Sequence, residues 1–294
     1  MIRSFSLKHP WLSRKILKAF WNFIRALGIS TFTFRLIDSN LKFTVNPKDG
    51  SVGKYIFLNS YEKDTILFSQ KYLATGDLVI DIGANIGYFT VIFSSIVGDT
   101  GEVHAFEPSQ REYFHLCKNI KDNKINNVFL NQLAVSNQNG YAKMNVLDDD
   151  FFGAYNSISD ITHQKVNQES VHKETIRTIR VDTYLSLFPN RNLSLIKIDV
   201  EGLEFQVVEG MQALLISENS PCLIIEVCED THQDEKNSVQ ALLDYLRNLN
   251  YDLFSPDEEG NLKPFIIGKS LNCIALKQNH IQRLRNREIK ICPN

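Results

Sequence analysis

The stretch LVIDIGANIGYFT, residues 78–90, decides the fold. An apolar run carries an acid, Asp81, two residues before a turn through Gly83, Ala84, Asn85, Ile86 and Gly87, and a second apolar run follows. A strand that ends this way and turns into a helix leaves backbone N–H groups at the carboxyl edge of a sheet, where open α/β sheets bind their ligands. Gly83 is expected to let the backbone approach a ligand, and Gly87 to let the helix start lie near the sheet. Asn85 tolerates left-handed backbone better than most residues. The next strand ends in Glu107, 20 residues after Gly87. A carboxylate there can accept both hydroxyls of a ribose.

Outward from this turn, apolar strand-like runs alternate with helical patterns. Strands are expected at 78–82, 103–106, 128–135, 193–200, 223–227, 251–254 and 271–276. Helices are expected at 62–72, 86–97, 109–123, 203–217 and 239–250. Strands apolar on both faces and separated by helices predict a doubly wound α/β fold with a mostly parallel, seven-stranded sheet. The last two runs have no helix between them, so the final strand is expected to be antiparallel. Residues 32–45 predict a hairpin around Asp38, Ser39 and Asn40. Between 137 and 190 the alternation breaks into two strand-like pieces around a polar stretch, an inserted hairpin and loop. The division expected is an extension at 1–60, a principal domain at 61–280 and a tail at 281–294.

A dinucleotide fingerprint would place glycine where Asn85 stands, which disfavours a nicotinamide oxidoreductase. Asp81 would repel a pyrophosphate and suit an ammonium. S-adenosylmethionine carries an ammonium, a sulfonium and a ribose, so the acid at the bend points to that cofactor. The blocks DIGANIGYFT, HAFEPS, LAVSNQNG, RVDTYL and LIKIDVEGLEFQVVEG, in this order, resemble those of the FkbM-type methyltransferases over about residues 75 to 230. The resemblance implies a class I, Rossmann-like methyltransferase using S-adenosylmethionine, usually on hydroxyls of sugars or polyketides. It further implies that Asp81, Gly83, Ala84, Asn85 and Gly87 line the methionine end of the cofactor. Glu107, with Pro108 beside it, would hold the ribose, and Ala134 and Val135 at the end of the third strand would border the adenine. The acceptor implied is a small molecule or glycan, most often a sugar. A non-catalytic subunit that keeps the fold as a scaffold is the competing reading, and intact Asp81, Glu107 and Asp199 speak against it.

A second acidic cluster follows in LIKIDVEGLEF. Asp199 should stand at the same sheet edge as Asp81, and Glu226 should end the following strand, with His232 six residues on. Methyl transfer to an alcohol needs the reacting atoms aligned and a proton removed. Asp199, Glu226 and His232 are therefore the catalytic candidates, with Asp199 nearest the methyl and His232 or Glu226 as proton acceptor. No further clear ligand accompanies the two carboxylates, so a metal-free base is expected. Glu204 and Glu209 read as solvated helix residues, Glu201 as a helix-start cap and Asp182 as the N-cap of a short helix. Asn156 and Ser157 resemble a small polar block of the same family, which implies that their loop contacts the acceptor, and Asp148 to Asp150 read as a solvated bend.

The 294 residues carry a net charge of −2, which hides an asymmetry. Residues 1–37 hold seven Lys and Arg and no acid, leaving 25 basic and 34 acidic residues in the remainder. That balance excludes the body as a nucleic-acid binder. Arg14, Lys18, Asn22 and Arg25 share one helix face, with Leu12, Ile16, Phe20, Phe23 and Leu27 on another. Residues 11–28 would therefore either rest on an anionic membrane or pack on the domain. The five cysteines show no CxxC spacing, which suits a reducing cytoplasm, with contact at the inner face of the membrane if the helix binds there. Nothing in the sequence sets the oligomeric state.

Overall fold

The computed structural model describes residues 10–37, 39–48, 52–147, 171–188, 192–228 and 238–292. Helix α1 (Pro10–Ala26) precedes strands β1 (Phe32–Arg35) and β2 (Lys42–Val45), which pair antiparallel as the hairpin the sequence predicts. Helices α2 (Val52–Phe57) and α3 (Lys63–Tyr72) lead into β3 (Leu78–Ile82). Then α4 (Tyr88–Val97), β4 (Glu102–Phe106), α5 (Gln110–Asp122) and β5 (Val128–Asn131) alternate. Strands β6 (Ala134–Val135), β7 (Gly140–Leu147) and β8 (Val171–Ile179) form the insertion, and α6 (Val181–Leu185) follows. Alternation resumes with β9 (Leu193–Ile198), α7 (Glu204–Glu209), α8 (Gln212–Ile216), β10 (Cys222–Glu226) and α9 (Val239–Asn248). The chain continues through β11 (Asp252–Pro256), β12 (Leu262–Pro264), β13 (Asn272–Leu276) and α10 (Ile281–Asn286).

The principal sheet has the order β12-β11-β13-β10-β9-β3-β4-β5. Strands β10, β9, β3, β4 and β5 pair parallel, and β13 lies antiparallel to both β10 and β11. Every residue of β3 is buried. That burial is why its sequence is a continuous apolar run rather than an alternation. The sheet has one strand more than expected because β12 joins its edge. Pro264 ends that three-residue strand, and a proline with no N–H to donate is at home on an edge. One apolar layer gathers α1, α3, α4 and α5 on one face of the sheet, and another gathers α6 to α9 on the opposite face.

The segment 128–135 is two strands, not one. The third strand of the alternation ends at Asn131, and Ala134 and Val135 pair with Thr178 and Ile179 in the small sheet β6-β8-β7. The helix expected at 203–217 breaks at Gly210, where an added Cβ would lie 2.2 Å from the Ser136 carbonyl oxygen. Asp182 does not cap its own helix, whose N-cap is Arg180. Instead its carboxylate accepts from Ala213 and Leu214 N–H, each at 3.2 Å, at the start of α8. The insertion is thereby tied to the main body.

The two ends of the chain pack on the same core. In the C-terminal segment Leu284 and Ile289 are buried, and Arg283 donates to Asp77 at 2.7 Å. In α1 the buried face is Leu17, Trp21 and Ile24, while Ile16, Phe23 and Leu27 from the expected apolar stripe are 40%, 59% and 59% exposed. The helix turns this way because Trp21 meets Phe57 at 5.4 Å and Phe32 at 6.3 Å between ring centroids. A buried indole contributes more area than the smaller side chains it displaces outward. Trp21→Ala should lower stability by about 3–5 kcal/mol in urea denaturation. Phe23→Ala, two residues on, should stay within about 0.5 kcal/mol of wild type.

Candidate active site

Strand register, parallel and antiparallel, brings the site together. Asp81 lies beside Lys197 across β3 and β9, and Glu226 lies beside Asn272 across β10 and β13. Asp199 follows β9 directly, and its N–H donates to the Ile82 carbonyl at 3.0 Å. A Cβ added to Gly83 would sit 1.7 Å from the Asp199 carbonyl oxygen, and Gly83 has φ +78°. The end of β9 by itself thus requires glycine at 83. Gly87 answers to helix α5, since a Cβ there would meet Leu116 Cδ1 at 2.5 Å. Asn85 takes the left-handed conformation its residue type permits, with φ 50°.

Glu107 locks this turn. Its carboxylate accepts from Asn85 N–H and Ser109 N–H, each at 2.8 Å, flanking Pro108. Burial pushes the Glu107 carboxyl up to about 8, with nearby Glu112 adding to the rise and the two N–H donors opposing it. Asp81 is buried beside Ala84 at the floor, accepting from Thr90 Oγ1 at 2.5 Å. Burial raises its pKa, against the pull of Lys197 and Thr90.

Lys197, only 2% exposed, is the residue the sequence reading passed over. Its Nζ lies 2.7 Å from Asp199 Oδ2 and 4.4 Å from the centre of the Phe89 ring. Burial opposes its charge, but Asp199, Glu62 and Asp81 together hold it protonated. A lysine inside a strand buried on both faces must be paired, and that was the available signal in LIKID. Burial works against ionisation of Asp199 too, yet Lys197 and a hydrogen bond from Glu226 keep its pKa below the ordinary range. Glu226 is held protonated, first by the charge on Asp199 and then by burial. The pair therefore consists of an ionised Asp199 and a protonated Glu226.

Tyr61 and Glu62, from the segment between α2 and α3, close the other side. Asn272 Nδ2 donates to Glu62 at 2.8 Å. Burial raises the Glu62 pKa, with Lys197 opposing. Burial likewise raises Tyr61, with Glu62, Asp199 and Glu226 adding to it. Neither residue carries a local sequence signal, because only the folded chain brings them to β9.

The turn after β9 is corrected in two places. Glu204 is buried rather than solvated, and its Oε1 accepts from Val200 and Gly202 N–H at 3.2 and 3.1 Å. It, not Glu201, satisfies the turn before α7. Glu209 is half-buried and accepts from Asn137 at 3.0 Å. Glu201 takes φ 52°, and one carboxylate oxygen from each of Asp199, Glu201 and Glu226 lies within 4.8 Å of the others. Such a set can offer three ligands to a hard divalent cation, with waters completing the shell. Glu201 is the third carboxylate of this set, which sequence spacing did not single out. Ala134 and Val135 are buried in the small sheet, and Asn131 N-terminal to them pairs with Glu107 through its carbonyl at 3.1 Å. His232, Asp148 to Asp150, Asn156 and Ser157 lie outside the described residues.

The family model described as the methyltransferase FkbM domain matches residues 81–253. The hexuronic acid methyltransferase AglP of Haloferax volcanii is 26% identical over 211 residues, 72% of this chain and 78% of that protein. Methyltransferase FkbM of Methylobacillus flagellatus aligns with a TM-score of 0.43 and 14% identity over 76% of this chain and 53% of its own, so this chain spans about half of it. A SAM-dependent O-methyltransferase of Thermotoga maritima aligns with a TM-score of 0.40 and 14% identity, over 84% and 77% of the two chains.

Lys197→Met tests the electrostatics of the site. Removing one partner from a buried pair should lower stability by about 3–5 kcal/mol at neutral pH. A carboxyl whose folded pKa is depressed, as for Asp199, adds stability above its unfolded pKa and loses it as pH falls through the folded value. The gap between wild type and variant should therefore narrow on acidification, as urea denaturation at neutral and acid pH will show.

Proposed function

This chain belongs to the methyltransferase FkbM family, and on that premise we propose that it methylates a hydroxyl of a sugar, in a small molecule or a glycan. S-adenosylmethionine is the methyl donor. The residues present fit that donor. Three acids, Glu62, Asp81 and Asp199, act on one ammonium, Lys197, and Glu226 adds a fourth beside Asp199, an excess that suits a cationic ligand. Asp81 and the turn through Gly83, Ala84, Asn85 and Gly87 would hold its methionine end, and Glu107 its ribose. When bound, S-adenosylmethionine supplies an electrophilic methyl whose carbon–sulfur bond breaks with the electron pair left on sulfur.

The observation that carries the reading is Asp199 at the carboxyl edge of β9, 2.7 Å from Lys197 Nζ on one side and with a carboxylate oxygen within 4.8 Å of Glu226 on the other. An acceptor hydroxyl must lose its proton as its oxygen attacks carbon. Asp199 takes that proton, Lys197 keeps the carboxylate available, and the Glu226 proton orients it. Support for a sugar acceptor comes from the relative that acts on hexuronic acid.

The cofactor half is tested by calorimetry with S-adenosylhomocysteine. Glu107→Ala should weaken binding by about 2–4 kcal/mol, from hydrogen bonds to a charged group. Because ribose hydroxyls favour the carboxylate, wild-type affinity should rise as pH climbs through about 8. The variant should show no such rise, and unchanged affinity in Glu107→Ala would sink the assignment.

The chemical half is tested by methyl transfer to a panel of glycosides, including hexuronates, with mass spectrometry of the products. The product expected is a methyl ether stable to mild base; a base-labile ester would move the acceptor from hydroxyl to carboxyl. Asp199→Asn should lower turnover by roughly 10²–10⁴-fold with cofactor affinity little changed. EDTA should leave the rate alone. If EDTA stops the reaction and magnesium or manganese restores it, Asp199, Glu201 and Glu226 act as ligands instead.

A further inference from the structure

We propose that the outward face of α1 is a docking surface for an anionic lipid bilayer. Leu17, Trp21 and Ile24 fix one side of the helix to the body. The helix cannot roll to hide its remaining apolar side chains without pulling Trp21 away from Phe32 and Phe57. Ile16, Phe23 and Leu27 therefore stay exposed, at 40%, 59% and 59%. At 100° per residue these three fall within one narrow sector of the helix. Arg14, Lys18 and Arg25, all exposed, share a second sector, with Lys15 and the small Ala19 and Ala26 between the two. The solvent side of α1 is thus half apolar and half basic.

Contiguous apolar side chains on a surface mark an interaction site, and the charge chooses the partner. The described helix has four basic residues and no acid, and residues 1–37 as a whole have seven and none. A second copy of this chain, docked across a two-fold axis, would bring the two basic sectors together and repel. An anionic bilayer neutralises them instead, at about fivefold in partitioning for each basic side chain near the surface. Phe23 and Leu27 would then enter the boundary between headgroups and acyl chains. No described helix is long and apolar enough to cross a membrane. The contact is one of lying on the surface. It would hold the methyltransferase body beside acceptors carried on lipid.

The test is flotation of the full chain with vesicles of phosphatidylcholine containing phosphatidylglycerol, and with phosphatidylcholine alone. The wild type should float with the anionic vesicles at low salt, release at about 0.5 M salt, and ignore the neutral ones. Phe23→Glu combined with Leu27→Glu should weaken binding by more than about tenfold, and so should Arg14→Glu combined with Lys18→Glu. All four side chains are exposed, so circular dichroism and melting temperature should match wild type, and methylation of a soluble acceptor should be unchanged. Failure of the wild type to bind anionic vesicles overturns the proposal, as does wild-type binding by the Phe23→Glu, Leu27→Glu variant. So does light scattering that shows a wild-type dimer dissolved by that variant, which would make the face an interface between copies.

Discussion

A lysine ammonium shut inside a parallel sheet is the constraint on which the site depends. Taking Lys197 out of water costs several kcal/mol unless opposite charge stands close by, and the register of β9 against β3 provides it in Asp81 and Asp199. The number of acids then exceeds what one ammonium can hold ionised. The surplus is resolved by proton uptake: Glu226 and Glu62 have raised pKa values, while Asp199 stays ionised. A cation arriving in the cleft would reverse part of that settlement and release protons. The cluster is therefore poised to meet positive charge while Asp199 stays ionised against Lys197.

The frame was legible because its signals are local. A buried parallel strand leaves an unbroken apolar run, and 78–82, 103–106 and 223–227 each correspond to a strand of the principal sheet within a residue or so at either end. The turn after β3 announced itself through glycine spacing and Asn85. The failures occur where the deciding partner is far away in sequence. Asp182 reads as a cap for its own helix until α8 arrives, and nothing near Gly83 in sequence announces that the Asp199 carbonyl stands against it. Strands β5 and β6 merge in the sequence because both are apolar. Only the pairing of Ala134 with Thr178 shows that the chain has changed sheets.

The same distinction separates the halves of the site. Asp81, Glu107 and Asp199 end strands, and strand ends can be read from hydrophobic patterning. Lys197, Tyr61, Glu62 and Asn272 act through tertiary contact. Of these only Lys197 carried a signal, a charge in the midst of a buried strand. Glu201 was visible, but its meeting with Asp199 and Glu226 depends on a left-handed turn that a glutamate rarely adopts. In α1 the amphipathic pattern was sound but its direction was not. Two apolar sectors competed for the body, and the aromatic partners Phe32 and Phe57 decided between them.

The close approach of Gly83 to the Asp199 carbonyl has an evolutionary consequence. Where two strand ends touch through backbone alone, no side chain can be added at 83, whereas any replacement at 199 must still supply the charge that holds Lys197. Position 83 is thereby closed to variation, and position 199 is held to residues that keep the buried ammonium paired. Any lineage that places a side chain at 83 gives up both halves of the site in one step.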